Sequence, residues 1–110
     1  MAYFSAYLAD GSNGEARVKL AGEFDISGRD LADEVLASAD AARKIVLDLS
    51  ELEFIDSMGI HFVVTAHQAA EADGREFRIV RGGPEVDRVF KLVGLSDVLP
   101  FEDAASPPSS

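Results

Sequence analysis

The chain has 110 residues, of which 47% are hydrophobic and 27% are charged, and it contains no cysteine. This length and composition predict one soluble globular domain, and the lack of cysteine excludes disulfides, thiolate metal sites and thiol catalysis. Twenty acidic residues against ten basic ones give a formal net charge of −10. Because this field repels polyanions and anionic lipid, we expect no nucleic-acid partner and no membrane partner.

Hydropathy also bears on where the protein acts. No apolar run approaches the ~20 residues that a transmembrane helix needs. The first residues, Met-Ala-Tyr-Phe-Ser, lack the basic segment of a signal peptide. We therefore expect a cytoplasmic protein.

The N-terminal third of the sequence predicts a β-hairpin followed by a helix. Residues 3–9 alternate loosely and residues 15–21 alternate strictly, and the cluster 10–14 between them holds an Asp-Gly and an Asn-Gly turn signal. Ser27 opens a pattern similar to a capping box. Apolar residues at helical spacing then predict a helix over 27–40.

The middle of the chain predicts the centre of the fold. Residues 44–49 are apolar on both faces of a strand, which favours a central position in a mostly parallel sheet. A strongly apolar helix is predicted from near Ser57 to Gly74, which provides a natural C-terminal cap. Residues 76–80 predict the next strand.

The last third predicts one more helix and a short edge strand. Pro84 and Gly94 mark the helix limits, and residues 97–99 predict the edge strand. Residues 104–110 are rich in Ser and Pro and are predicted to be a disordered tail. Residues 1–103 then form a single domain.

The predicted element order is β-β-α-β-α-β-α-β. This order implies an α/β fold: a mixed, mostly parallel sheet with an N-terminal β-hairpin, and helices packed on the sheet through right-handed crossovers. Functional loops of such sheets gather beyond the carboxyl ends of the strands. Loops 22–27 and 50–57 meet that condition, both are acidic, and we expect them to be neighbours.

Ser57 is the residue that most invites a chemical interpretation. His61 follows it by one helical turn, so the two side chains share a face. However, the nucleophile elbow Gly-x-Ser-x-Gly has Ile55 in place of its first glycine. Since such a His–Ser pair often occurs by chance, we expect no catalytic residue and no enzyme activity.

Two weaker ligand patterns occur elsewhere. The sequence Arg81-Gly-Gly-Pro84 precedes a helix and could offer N–H groups to an anion, but it lacks the spacing of a P-loop. Asp25 and Asp56 could share a cation if their loops touch, although nothing in their spacing requires a metal. Structural roles are the simpler interpretation of both patterns.

Local physics leaves two interpretations of Ser57 open. It could be an N-cap, whose hydroxyl satisfies free N–H groups and contributes ~1 kcal/mol. It could also be a phosphoacceptor, because a phosphate there adds about −1.5 to −2 charges at the end of a helix. The fold would survive that change, while a contact that uses this end of the helix would be lost.

Three stretches of the chain resemble the STAS domain, and in particular the stand-alone anti-sigma factor antagonists of bacteria. The first follows the second strand, the second covers the third strand through the start of the next helix, and the third covers the last helix. They are Leu20-Ala-Gly-Glu-Phe-Asp25, Ile45-Val-Leu-Asp-Leu-Ser-Glu-Leu-Glu-Phe-Ile-Asp-Ser-Met-Gly-Ile60 and Pro84-Glu-Val-Asp-Arg-Val-Phe-Lys-Leu-Val-Gly-Leu95.

The resemblance implies a partner-switching role. In this family the serine after the aspartate, here Ser57, is phosphorylated by an anti-sigma factor that is a GHKL-type serine kinase. The unphosphorylated protein binds that kinase and releases a sigma factor, and a PP2C-type phosphatase resets the switch. ATP belongs to the partner, so neither a cofactor nor a metal is expected. The partner-binding residues implied are Asp25, Asp56, Ser57, Met58 and Gly59.

The chain departs from the family pattern in places. Met58 replaces the usual small residue beside the phosphoacceptor, and Ile60 replaces the usual leucine. The last helix of the family fold is short or missing. The alternative function is a STAS subunit of a transport or signalling complex that is not phosphorylated, in which Ser57 would be only a cap.

Overall fold

The computed structural model describes residues 3–10 and 14–103, and it confirms the α/β fold. The strands are β1 Phe4–Asp10, β2 Glu15–Phe24, β3 Lys44–Ile55, β4 Glu76–Val80 and β5 Phe101–Glu102. The helices are α1 Arg29–Ala37, α2 Ser57–Ala72 and α3 Pro84–Leu92, and a 3₁₀ turn, Ile26–Gly28, precedes α1.

The five strands form one sheet in sequence order, with β1 and β5 at its edges. β1 pairs antiparallel with β2, and the other three pairs are parallel. A helix makes each parallel crossover, as the predicted element order required. β3 is central, as its two apolar faces indicated. None of the helices in the described ranges is long and apolar enough to cross a membrane.

One continuous core joins the sheet to the three helices. Near the carboxyl ends of β2 and β3 it is aromatic: the ring of Phe24 stacks on Phe4 at 4.6 Å and meets the edge of Phe62 at 5.4 Å. Phe24 and Phe62 are fully buried, so dispersion and the hydrophobic effect both hold this end of the core. The start of α2 is therefore packed against a rigid support.

The predicted loop over 50–57 is wrong, because β2 and β3 both continue past their predicted ends. Their parallel ladder pairs Gly22 with Leu52 and Phe24 with Ile55, after register shifts at each of which β3 has one residue more than β2. Exposed Ser50, Glu51 and Glu53 alternate irregularly with buried Leu52 and Ile55. That polar stretch resembles a loop, but each strand satisfies the other's backbone groups.

The first helix also differs from the prediction. α1 begins at Arg29 and ends at Ala37, rather than spanning 27–40. The capping box at Ser27 is wrong, since the hydroxyl and the N–H of Ser27 both donate to Asp25 Oδ1, at 2.6 and 2.9 Å. At the other end, Ser38 Oγ donates to the Val35 carbonyl at 2.6 Å, and turns replace the last predicted helical residues.

The later elements match the prediction except at the edge. α2, β4 and α3 lie where expected, with Gly74 and Gly94 at φ values of 70° and 78° after the two helices. The predicted strand at 97–99 is wrong: those residues form turns, and β5 follows Pro100. Ile79 N donates to the Pro100 carbonyl at 3.0 Å, which begins the last ladder. The predicted tail at 104–110 and the tip of the first hairpin at 11–13 lie outside the described residues.

Asp48 is the one buried charged residue in the described part of the chain, with 5% of its surface exposed. Arg17 Nη1 donates to its Oδ2 at 3.1 Å, and Ser50 donates to its Oδ1 through both its hydroxyl and its N–H, at 2.6 and 2.9 Å. Burial acts to raise the pKa of Asp48, but these donors outweigh burial and hold the pKa below its usual range.

The Asp48→Asn variant tests this arrangement. We expect it to lose about 1–3 kcal/mol of unfolding free energy at neutral pH, because Arg17 loses its charged acceptor. A carboxylate with a lowered folded-state pKa contributes stability above the unfolded pKa, which is ~3.9, and loses it as the pH falls through the folded pKa. In urea titrations, the difference in unfolding free energy between the wild type and Asp48→Asn should therefore become smaller below about pH 4. The control is Glu51→Gln at an exposed position, which should change the unfolding free energy by at most about 0.5 kcal/mol. A difference between wild type and Asp48→Asn that grows as the pH falls would contradict this account.

Candidate functional site at the start of helix α2

The carboxyl ends of β2 and β3 lie side by side, and the two acidic segments leave the sheet together. Phe24 pairs with Ile55 at the end of the ladder, and Asp56 N donates to the Phe24 carbonyl at 3.1 Å. The expectation that the segments carrying Asp25 and Asp56 are neighbours is therefore confirmed.

Asp56 is the N-cap of α2. Its backbone is extended, and its Oδ1 accepts hydrogen bonds from Met58 N and Gly59 N, each at 3.0 Å. The carboxylate satisfies two free donors and places a negative charge at the positive end of the helix dipole. The interpretation of Ser57 as the N-cap is therefore wrong, because the preceding residue caps the helix.

Ser57 is the first residue of α2, and its side chain is exposed. Since Asp56 holds the helix start, the hydroxyl of Ser57 is not needed for capping. The nearby polar groups are engaged with other residues: Arg29 Nη1 lies 3.3 Å from Nδ1 of His61, and Asp25 accepts from Ser27. This arrangement does not support serine catalysis.

Asp25 caps the 3₁₀ turn that precedes α1. The Ser27 hydroxyl, followed by the Ser27 N–H, lowers the pKa of Asp25 by hydrogen bonding to its charged form. The carboxylate therefore stays ionised at neutral pH, and Asp25 and Asp56 make this end of the sheet negative.

The described residues contain no group of three or more His, Asp or Glu side chains placed to hold a metal ion.

The segment from Arg81 to Pro84, which the sequence offered as a possible anion site, has its arginine paired with carboxylates of the same chain. Its Nη1 donates to Asp87 at 3.0 Å and its Nε donates to Asp103 at 3.2 Å. Both observations favour structural roles for these charged residues.

Met58 and Gly59 join the site to the core. Met58 is half-buried, whereas Gly59 is buried. A Cβ at Gly59 would lie 2.6 Å from Ile55 Cγ1 and 3.2 Å from Phe24 Cδ2, so only glycine lets α2 approach the strand ends this closely. Contact of Met58 or Gly59 with a partner stays a prediction.

Two exposed apolar side chains that lie close to Asp25 or Ser57 in the sequence were not predicted as site residues. Ile26 is 68% exposed and Phe54 is 46% exposed, and both lie within three residues of Ser57 or Asp25 in the sequence. In the sequence, Ile26 lies between the polar residues Asp25 and Ser27 in a predicted loop. An apolar residue in such a position is often exposed, and this pattern could have identified Ile26 as a site residue. Phe54 was assigned to the loop over 50–57, so its position on a strand was missed.

The family becomes clear when the fold is compared with known proteins. A family model described as "Mlab, STAS domain" matches residues 8–100. The chain belongs to the STAS domain family. The matched region contains β2, β3, β4 and the three helices in full, begins within β1 and ends just before β5.

Similar proteins carry regulatory names. The chain is 29% identical over 89 residues to an anti-sigma F factor antagonist of Paenibacillus polymyxa. The aligned region covers 78% of this chain and 76% of the relative. Among solved structures, an anti-sigma factor antagonist of Mycobacterium paratuberculosis has a TM-score of 0.82 at 24% identity, over 93% of this chain and 87% of the other.

The Bacillus cell fate determinant SpoIIAA has the same fold. Its phosphorylated form superimposes on this chain with a TM-score of 0.72 at 22% identity, over 93% of both chains. At these identities the two solved structures show a shared fold. SpoIIAA, a protein of this fold, is thus known in a phosphorylated form.

The division of roles between Asp56 and Ser57 can be tested by substitution. Asp56→Ala should lower the unfolding free energy by about 0.5–2 kcal/mol, because two donors at the start of α2 lose their acceptor. Asp56→Ser, which keeps a capping oxygen, should recover most of that loss. Ser57→Ala should change stability by at most about 0.5 kcal/mol. Denaturant unfolding measures all three variants, and a larger loss for Ser57→Ala than for Asp56→Ala would refute this assignment.

Proposed function

We propose that this protein is an anti-sigma factor antagonist whose binding is switched off by phosphorylation of Ser57. The observation that carries the proposal is the exposed Ser57 hydroxyl at the start of a helix that Asp56 caps. A kinase can modify Ser57 without removing a hydrogen bond that the fold needs. The names of the relatives support the same function.

The partner in this proposal is an anti-sigma factor that is also a GHKL-type serine kinase. The kinase transfers the γ-phosphoryl group of ATP to Ser57 Oγ, the hydroxyl proton leaves, and ADP is released. A PP2C-type phosphatase hydrolyses the phosphoester and restores the binding form. Since ATP is bound by the kinase, this chain needs no cofactor of its own.

The interface proposed here combines two exposed apolar side chains with two carboxylates. Exposed Ile26 and Phe54 supply buried area on binding, while Asp25 and Asp56 supply negative charge for a basic partner surface. A phosphate on Ser57 adds about −1.5 to −2 charges in the middle of this surface. Repulsion and the cost of removing the phosphate from water then separate the partners.

The second candidate function is a STAS subunit that is not phosphorylated and belongs to a transport or signalling complex. It would use the same exposed surface but would bind whether or not Ser57 carries a phosphate. The capping by Asp56 is compatible with the switch, because it leaves the Ser57 hydroxyl without a capping role that a phosphate would remove. We propose no enzymatic activity, because the relatives are named as regulators.

Phosphorylation is tested directly with the cognate anti-sigma kinase and ATP. Intact-mass spectrometry should show an adduct of ~80 Da on the wild-type protein and none on Ser57→Ala. Ser57→Asp should bind the anti-sigma factor more weakly than Ser57→Ala in calorimetry. An adduct that persists in Ser57→Ala places the phosphate elsewhere, and equal affinities for the two variants contradict switching by charge.

The interface is tested with a pair of matched apolar residues. Ile26 and Val98 have nearly equal exposure, 68% and 66%, but Val98 follows α3, beyond the amino ends of the parallel strands. Ile26→Ser should weaken binding of the anti-sigma factor about tenfold, which corresponds to ~1.4 kcal/mol. Val98→Ser should leave the affinity unchanged. Equal losses of affinity in the two variants, or a loss of affinity only in Val98→Ser, would contradict an interface next to Ser57.

A further inference from the structure

The side chain of Arg29, the first residue of α1, contacts the first turns of α2. Arg29 Nη1 lies 3.3 Å from Nδ1 of His61, and the guanidinium carbon lies 5.5 Å from the centre of the Phe62 ring. A guanidinium has only donors, so this contact is a hydrogen bond when Nδ1 of His61 is unprotonated. Arg29 is thus held above the first two turns of α2.

His61 shares a helical face with Ser57. Residues four apart on a helix have Cβ atoms about 5–6 Å from each other, and both side chains are exposed. A phosphate on Ser57 extends further from the helix than the hydroxyl does. It therefore extends from the helical face that also carries His61, the residue that Arg29 contacts.

Two of the backbone donors at this helix start are already used by the cap. Asp56 Oδ1 accepts from Met58 N and Gly59 N, so a phosphate on Ser57 cannot take these donors without displacing the cap. Side-chain donors remain. Among the described residues, Arg29 is the arginine or lysine whose hydrogen bonds reach the first two turns of α2.

We propose that Arg29 and His61 form the receptor for the phosphate on Ser57, so that phosphorylation ties α1 to α2. The phosphate replaces the imidazole as the acceptor for Arg29 Nη1, and His61 in its protonated form donates to the phosphate. Arg29 keeps its Nε bond to Asp33 at 3.2 Å, which orients the guanidinium. This proposal rests on Ser57 being the phosphorylated residue.

The charges around this receptor come from three segments. α1 contributes Arg29 and Asp33, α2 contributes His61, and the strand ends contribute Asp25 and Asp56. The acids act to raise the second pKa of the phosphate, while Arg29 and protonated His61 act to lower it. Removal of either receptor residue should therefore raise that pKa.

The test uses the full chain with phosphoserine installed at position 57 during translation, so that no kinase is involved. A ³¹P NMR titration follows the second ionisation of the phosphate, which is near pH 6 for phosphoserine. Arg29→Gln and His61→Gln should each raise the midpoint, by roughly 0.5–1 pH unit for Arg29→Gln. Arg75→Gln is the matched control: Arg75 joins the segments that follow α2 and α1, pairing with Asp40 at 3.0 Å, and its side chain is 19% exposed against 20% for Arg29.

A midpoint that rises in the two receptor variants and not in Arg75→Gln supports the receptor. A midpoint unchanged in Arg29→Gln, or raised equally in Arg75→Gln, overturns it. Should Arg29→Gln fail to fold, the exposed His61→Gln variant decides in its place, since its midpoint must also rise. Failure of the receptor leaves kinase switching at Ser57 intact, and failure of the kinase assay leaves the ³¹P result valid, so the two proposals are separable.

Discussion

The last rung of the parallel ladder between β2 and β3 determines the geometry of the functional end of this protein. Phe24 pairs with Ile55, and the N–H of the next residue, Asp56, donates to the Phe24 carbonyl. This hydrogen bond fixes the point at which the chain turns from strand into helix. The Phe24 ring lies in the aromatic core beneath that turn, and Gly59 allows α2 to pack directly on it.

Around this anchor, the residues on either side of Ser57 carry the structural tasks. Asp56 caps the helix, which needs a short side chain with an accepting oxygen, and Gly59 permits its close packing, which needs a residue without a Cβ. Ser57, between them in sequence, faces outward without a structural duty. A modification at Ser57 therefore alters the surface and leaves the core unchanged, which is the property that a binding switch requires.

The charge of the protein is consistent with this arrangement. The surface near Ser57 carries two carboxylates: that of Asp25, whose pKa is lowered by its hydrogen bonds from Ser27, and that of Asp56, which accepts from two backbone N–H groups. A further negative charge at Ser57 would add to an already negative surface, which is the condition on which the proposed switch depends. The guanidinium of Arg29 provides positive charge to one side of the same helix start.

Local sequence patterns determined the element types, the central position of β3, the limits of α3 and the singular position of Ser57. They succeeded where one residue decides the outcome locally, as Pro84 does at a first helical position. Family resemblance then supplied the partner class, which composition and spacing do not contain.

Tertiary structure decided what depends on partners distant in sequence. Residues 50–55 read as a loop because Ser50, Glu51 and Glu53 are polar, yet they form a strand because β2 extends beside them and pairs with their backbone. The capping role went to Asp56 rather than Ser57 because the Phe24 carbonyl holds the Asp56 N–H and sets where the helix begins. The contact between Arg29 and His61 depends on how α1 packs on α2, and no periodicity within either helix encodes that distance.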